Sequence, residues 1–183
     1  MDQAMRGFVA FGLDAGFSAQ LRAEAETFPL DPGLKLLLPA DYHVTIKFLS
    51  NFSSTDFFGI LDELCALGKP PAQSLRAGKI AIWPTVIALE CEPSDELRAW
   101  HSQVNSLLER KGFIQERHPR FSPHITLARH KAGQVLPEVE SHLPKVESAF
   151  SGKIVPVEAP ALWKSEPEET GRRHRPILTP LFV

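Results

Sequence analysis

Two short stretches, HVTIKFL at 43–49 and HITLAR at 124–129, hold the residues of this chain best suited to chemistry. Each reads as a strand, and side chains on a strand alternate between its two faces. His43, Thr45 and Lys47 then share one face and Val44, Ile46 and Phe48 the other; likewise His124, Thr126 and Ala128 stand against Ile125, Leu127 and Arg129. The apolar set of each strand can pack on a helix, which leaves histidine and threonine facing a cleft. Imidazole titrates near neutrality, at about 6.5 when unperturbed, so one ring can accept a proton while its partner donates one. Set on either side of a phosphorus atom, the base activates water and the acid protonates the departing oxygen. The threonine hydroxyls can hydrogen-bond the non-bridging oxygens, where charge accumulates.

Paired histidines could instead ligate a metal, but zinc normally recruits three or four ligands at short spacings. Asp41 is the acidic residue nearest His43, and no carboxylate lies within seven residues of His124. A serine nucleophile is poorly supported as well, because no Gly-x-Ser-x-Gly elbow occurs. The reading is therefore acid–base chemistry with no metal and no cofactor.

The elements that must position these residues follow from periodicity. GFVAFGL at 7–13 is strand-like, and Phe17, Leu21, Ala25 and Phe28 follow at helical spacing. LKLLL at 34–38 reads as a buried strand before the His43 strand. A helix capped by Ser53, Ser54 or Thr55 comes next, then strands at 79–83 and 85–91 joined at Pro84 as a hairpin. Ser94 caps a helix with Leu97, Trp100, Val104, Leu107 and Leu108 along one face, and Gly112 ends it. After the His124 strand the pattern predicts an irregular polar stretch, strands near 150–157 and 161–164, a charged loop over 166–175, and a last strand at 176–183.

Strands and helices mix without regular alternation, so the expected class is α+β with antiparallel sheets. An apolar strand, an amphipathic helix, a proline-bearing loop and a His-x-Thr strand recur in that order. Phe8 precedes His43 by 35 residues and Val86 precedes His124 by 38. This predicts one structural unit over 1–183, made of two related lobes about an approximate two-fold axis.

Composition agrees with a folded chain: of 183 residues, 43% are hydrophobic and 23% charged. No apolar run approaches the roughly 20 residues of a membrane span, and no leader pattern opens the chain, so a cytoplasmic location without a membrane partner is expected. Cys65 and Cys91 are expected to be buried thiols. A formal charge of −2 gives no global pull on a polyanion, so any nucleic acid must be drawn by local patches. Candidates are Arg117, His118 and Arg120; Arg129, His130 and Lys131; and Arg172, Arg173, His174 and Arg175.

HVTIKFL, FSPHITLAR, the opening GFVAFGL and the Arg-rich segment before PILTPLFV together resemble the RNA 2′,3′-cyclic phosphodiesterases, or 2′-5′ RNA ligases, of the two-histidine phosphoesterase superfamily. The resemblance spans nearly the whole chain. It implies a bilobal fold, two antiparallel sheets with outer helices around a central cleft. It also implies hydrolysis of an RNA 2′,3′-cyclic phosphate end to a 2′-phosphomonoester without metal or nucleotide cofactor, with ATP-independent 2′-5′ joining in some members. Carried over residue by residue, His43 resembles the proton donor and His124 the proton acceptor, while Thr45, Thr126 and Arg129 resemble phosphate-binding residues. Strict alternation aims Arg129 away from His124, so a local bulge or twist, or a cleft edge reached by its long side chain, must be assumed there. Phe11 corresponds to a position that could stack a base or, as an apolar strand residue, belong to the core; Lys47 could aid phosphate binding, and Arg172, Arg173 and Arg175 could guide an RNA backbone. Alternatives are an RNA- or nucleotide-binding module with little catalysis, and a phosphodiesterase for another cyclic phosphate or for 2′-5′ oligonucleotides.

Overall fold

The computed structural model describes residues 5–29, 32–68, 75–113, 120–131, 135–168 and 171–177. Strand β1 (Met5–Leu13) leads to helix α1 (Ala15–Ala25), whose first turn is capped by the Asp14 carboxylate accepting from the Phe17 amide at 3.0 Å. A two-residue strand β2 (Lys35–Leu36) and a 3₁₀ turn (Pro39–Asp41) precede β3 (His43–Phe52). Helix α2 (Ser54–Ala66) starts at a reciprocal cap between Ser53 and Asp56. The hairpin of β4 (Leu75–Ile82) and β5 (Val86–Pro93) turns at Pro84 as expected. Helix α3 (Asp95–Arg110) is capped by Ser94 and buries the five apolar residues read from its periodicity. Each such side chain contributes roughly 1.5–3 kcal/mol by leaving water. Gly112, at φ +91°, ends the turn that follows.

Beyond β6 (His124–Arg129) the structure departs from expectation. The stretch read as irregular is helix α4 (Pro137–Phe150), which buries Val139, Leu143, Val146 and Phe150. Pro144 lies inside it, and the alternation of proline and charge hid a plain i, i+4, i+7, i+11 stripe. Phe150 thus ends a helix rather than opening a strand. The supposed charged loop is a hairpin instead, with β7 (Val157–Glu168) paired to β8 (Gly171–Pro176). LKLLL, read as a buried strand, contributes only the short β2, and of its five residues only Leu37 is buried. Residues 178–183 of the expected last strand lie outside the described residues. Cys91 is buried, its thiol pushed up to about 12 by desolvation, whereas Cys65 is exposed, since that position of α2 faces outward.

The strands form one curled antiparallel sheet ordered β4-β5-β6-β3-β1-β7-β8, with β2 pairing on β6. The two expected sheets meet at its centre, where Val44 of β3 faces Ile125 of β6. Outward from that junction the order β6-β5-β4 repeats as β3-β1-β7, which is the duplication in structural form. Register shows it more closely. Thr45 lies opposite Ala10 and Thr126 opposite Ala88; one step back, Val9 faces Lys47 and Ile87 faces Ala128. Ile46 and Leu127 are therefore extra residues, the same bulge at the same place in both halves. Val9, Phe11, Leu13, Ile87, Leu89, Ile125 and Leu127 join the helices in the main core. Phe8, Ala10, Ala161 and Trp163 form a smaller cluster on the opposite, concave face.

Candidate active site

Val44 and Ile125 both point into the core at 0% exposure, so the residues flanking them face the other way. His43 and Thr45 of β3 are thereby placed beside Thr126 and His124 of β6, all half-buried on the concave face. The histidines sit on a diagonal of this four-residue square, a spacing of roughly 7–8 Å between strand positions. His43 and His124 are close enough that a charge on His124 disfavours one on His43.

Both rings are fixed in the same way. The His43 Nδ1 lies 2.7 Å from the Asp41 carbonyl oxygen, and the His124 Nδ1 lies 2.9 Å from the Ser122 carbonyl oxygen. A carbonyl only accepts, so each Nδ1–H donates, and each neutral ring keeps its lone pair at Nε2. A backbone oxygen two residues upstream thus sets both tautomers.

Their surroundings differ. His43 packs against Phe8, Trp163 and His174, with centroid distances of 4.8, 5.3 and 5.1 Å. Burial pushes its pKa down to about 3, and the charges of His174, His124 and Arg129 push the same way. His124 packs on Trp83 at 4.3 Å. Burial lowers its pKa too, but the Glu90 carboxylate opposes the shift. Glu90 sits opposite His124 in the β5–β6 register and accepts from the Trp83 indole N–H at 3.3 Å.

Arg129 returns to the concave side as the bulge at Leu127 requires. Leu127 and Ala128 are both buried and Arg129 is half-buried, reaching His174 Nε2 from Nη2 at 3.1 Å. In β3 the equivalent bulge has the opposite consequence for Lys47, which does not share the histidine face. It is 5% exposed, donates to the Asn105 side chain of α3 at 2.6 Å and lies 3.8 Å from Glu109. Phe48 takes the cleft side instead, 46% exposed and 5.6 Å from Phe8. Phe11 is corrected as well: it is 1% exposed in the main core, stacked on Trp100 at 6.0 Å, because odd positions of β1 face the helices. Aromatic surface at the cleft comes from exposed Phe48 and half-buried Trp83, with Phe8 and Trp163 buried in the cluster beneath. Trp163 also borders a cavity of about 680 Å³ that Gly12, Tyr42 and Glu158 help to line.

The basic patches do not act as units. Arg173 is held by Asp41, its Nε 3.0 Å from Oδ1 and 2.7 Å from Oδ2, while Arg175 is exposed. Arg172 pairs through its backbone with Pro167, and its side chain lies outside the described residues. His130 is buried and Lys131 exposed; Arg117 and His118 lie outside the described residues. Sequence reading missed His174 and Asp41 as site residues. Their signal was a histidine amid arginines and an acid two residues before His43, and neither reveals a partner distant in sequence. Among the described residues, no three His, Cys, Asp or Glu side chains converge as a metal-ligand set, and no helix is long and apolar enough to cross a membrane.

Comparison with known proteins agrees with this geometry. Residues 87–171, slightly under half of the chain, match the family described as LigT like Phosphoesterase. The RNA 2′,3′-cyclic phosphodiesterase of Bacillus subtilis (strain 168) is 27% identical over 135 residues, covering 69% of this chain and 72% of that protein. The crystal structure of E. coli LigT complexed with 3′-AMP superposes with a TM-score of 0.72 at 18% identity, covering 96% of each chain. TT0787 of Thermus thermophilus gives 0.66 at 26% identity, covering 95% of this chain and 96% of the other. These matches make the chain similar to LigT-like phosphoesterases, and the superposition on E. coli LigT shows a shared fold.

Proposed function

We propose that this protein is a LigT-like phosphoesterase that hydrolyses 2′,3′-cyclic phosphate ends of RNA to 2′-phosphomonoesters, with His124 as proton acceptor and His43 as proton donor. The observation that carries the reading is the pair of imidazoles on one concave face, each with Nδ1–H tied to the backbone and Nε2 presented. Neutral His124 takes a proton from water as the water oxygen attacks phosphorus. The P–O3′ bond breaks in line, and His43 delivers its proton to O3′. Glu90 supports the imidazolium that forms on His124. Thr45 and Thr126 hydrogen-bond the non-bridging oxygens, and Arg129 offsets their charge.

The free site orders the protons the wrong way round for this reaction, because His43 holds its proton more weakly than an ordinary imidazole. A bound phosphate anion corrects that by opposing the positive charge of Arg129. Once loaded, an imidazolium of depressed pKa is a strong acid, suited to protonating an alkoxide as it leaves. A 5′-hydroxyl in place of water gives a 2′-5′ linkage by the same proton transfers. Every step uses side chains of this protein, so the activity is expected to be independent of metal. Support for RNA as the substrate class comes from the B. subtilis relative, and for a nucleotide as ligand from the 3′-AMP complex of E. coli LigT.

The test incubates the protein with EDTA and an RNA carrying a 2′,3′-cyclic end, then locates the product phosphate by ³¹P NMR. A 2′-phosphomonoester is expected. A 3′-phosphomonoester, or turnover only after metal is added, would overturn the mechanism, and tight binding without turnover would favour a binding module.

A further inference from the structure

We propose that His174 is a positioning residue that holds the Arg129 guanidinium in place for phosphate; the role rests on the phosphoesterase reading above. Arginine is only a donor, so in the 3.1 Å contact His174 Nε2 must be the acceptor and its ring proton must reside on Nδ1. His174 is 7% exposed, wedged edge-on against His43 at 5.1 Å and Phe8 at 5.4 Å. Its ring is therefore fixed by packing before it meets the guanidinium.

The contact joins opposite halves of the sheet. Strands β3, β1 and β7 lie between β6, which carries Arg129, and β8, which carries His174. On a flat sheet those strands would be about 19 Å apart, four interstrand spacings. The curl closes that gap over the concave face, and the Arg129–His174 hydrogen bond spans it.

Asp41 sets the same geometry from below. Its carboxylate is 3% exposed and accepts from the His174 backbone N–H at 3.1 Å and from Arg173 at 2.7 Å. Its carbonyl accepts from His43 Nδ1. One residue thus anchors both the proton donor and the strand that delivers the arginine's acceptor. Fixing a long arginine side chain costs rotamer entropy, and a preset acceptor meets part of that cost before substrate arrives.

The test pairs kinetics with a variant-free measurement. His174→Phe keeps an aromatic ring and loses the acceptor; kcat/KM for the cyclic phosphate is expected to fall roughly 10- to 100-fold, the scale of one charge-assisted hydrogen bond. His174→Gln, whose amide oxygen accepts, is expected to recover most of that loss. In an Arg129→Ala background His174→Phe is expected to cost little more, because its effect passes through the guanidinium. A merely structural role would give equal losses in both backgrounds and no rescue by glutamine, and either result would overturn the proposal. Should His174→Phe unfold, ¹⁵N NMR of the intact protein at neutral pH decides: an Nδ1–H tautomer at His174 is required, and Nε2–H would refute it. A protein whose wild-type form turns over no cyclic phosphate would sink the functional reading while leaving the NMR result to judge the contact.

Discussion

The two halves of the sheet place the same three features at corresponding positions, yet give their histidines different neighbours. Each has a His-x-Thr strand, an Nδ1–H bonded to a carbonyl two residues upstream, and a bulge after the threonine. Around His43 stand Phe8, Trp163 and His174, with no opposing carboxylate among the groups that shift its pKa; around His124 stand Trp83 and Glu90. Duplication explains the geometry, and divergence of the flanking strands explains how equivalent imidazoles can take unlike proton roles. A symmetric site would offer two equal bases. This one separates them.

The largest expected effect comes from removing either ring. His43→Ala and His124→Ala should each lower turnover about 10² to 10⁴-fold with the fold retained. The comparison is sharpened by the pH profile. A base works deprotonated and governs the limb rising with pH; an acid works protonated and governs the falling limb. His124→Ala is thus expected to flatten the rising limb and His43→Ala the falling one, although in wild type the macroscopic values belong to the pair. Loss of the same limb in both variants would break the assignment.

Glu90→Gln tests the divergence itself. The amide still accepts from Trp83, but the charge opposing the shift at His124 is gone. His124 then becomes a weaker base: the rising limb moves to lower pH, and the plateau is expected to drop by roughly 3- to 10-fold. An unmoved limb would show that Glu90 only packs.

A subtler effect appears in stability. Unfolded His43 titrates near 6.5, while in the fold it is held down to about 3. Above pH 6.5 neither state carries the proton. As pH falls from about 6.5 toward 3 the unfolded chain takes it and the fold does not, so stability declines by up to about 1.4 kcal/mol per pH unit. Urea unfolding between about pH 6 and pH 4 should therefore show a shallower decline for His43→Gln than for wild type. Equal slopes would mean that the ring is solvated.

How much of this was legible depends on distance along the chain. The caps at Ser53 and Ser94, the five buried residues of α3 and the order of elements in each half follow from local pattern, and they stood in the sequence. The His-x-Thr strands were legible too, because alternation over three residues survives any later irregularity. The surroundings were not. Asp41 meets Arg173 and His174 more than 130 positions away, and no periodicity records that contact. Helix α4 was hidden by Pro144, and the face of Phe11 stayed open between cleft and core, because periodicity alone does not say that Phe8 and Ala10 define the concave side of β1.

The smallest expected effect bears on the bulge. Counting by twos from His43 puts Lys47 over the phosphate, and an ammonium there should matter for turnover. The extra residue Ile46 flips the count, sending Lys47 to α3 and Phe48 to the cleft. Helix α3 holds that irregularity in place: His101 lies 3.1 Å from the Ile46 carbonyl oxygen through Nε2, and Asn105 accepts from Lys47. Lys47→Met keeps the stem that packs there and removes the ammonium with its bond to Asn105, both on the side away from the substrate, while the His101 contact to Ile46 remains. Its turnover is expected within about twofold of wild type, since side chains outside special contacts with the reacting atoms rarely move catalysis. The equivalent bulge in β6 does the reverse, bringing Arg129 into the site, so Arg129→Met is expected to lose activity where Lys47→Met does not. A loss at Lys47→Met with none at Arg129→Met would mean that the strands alternate without interruption, and the two halves would then have to be re-registered.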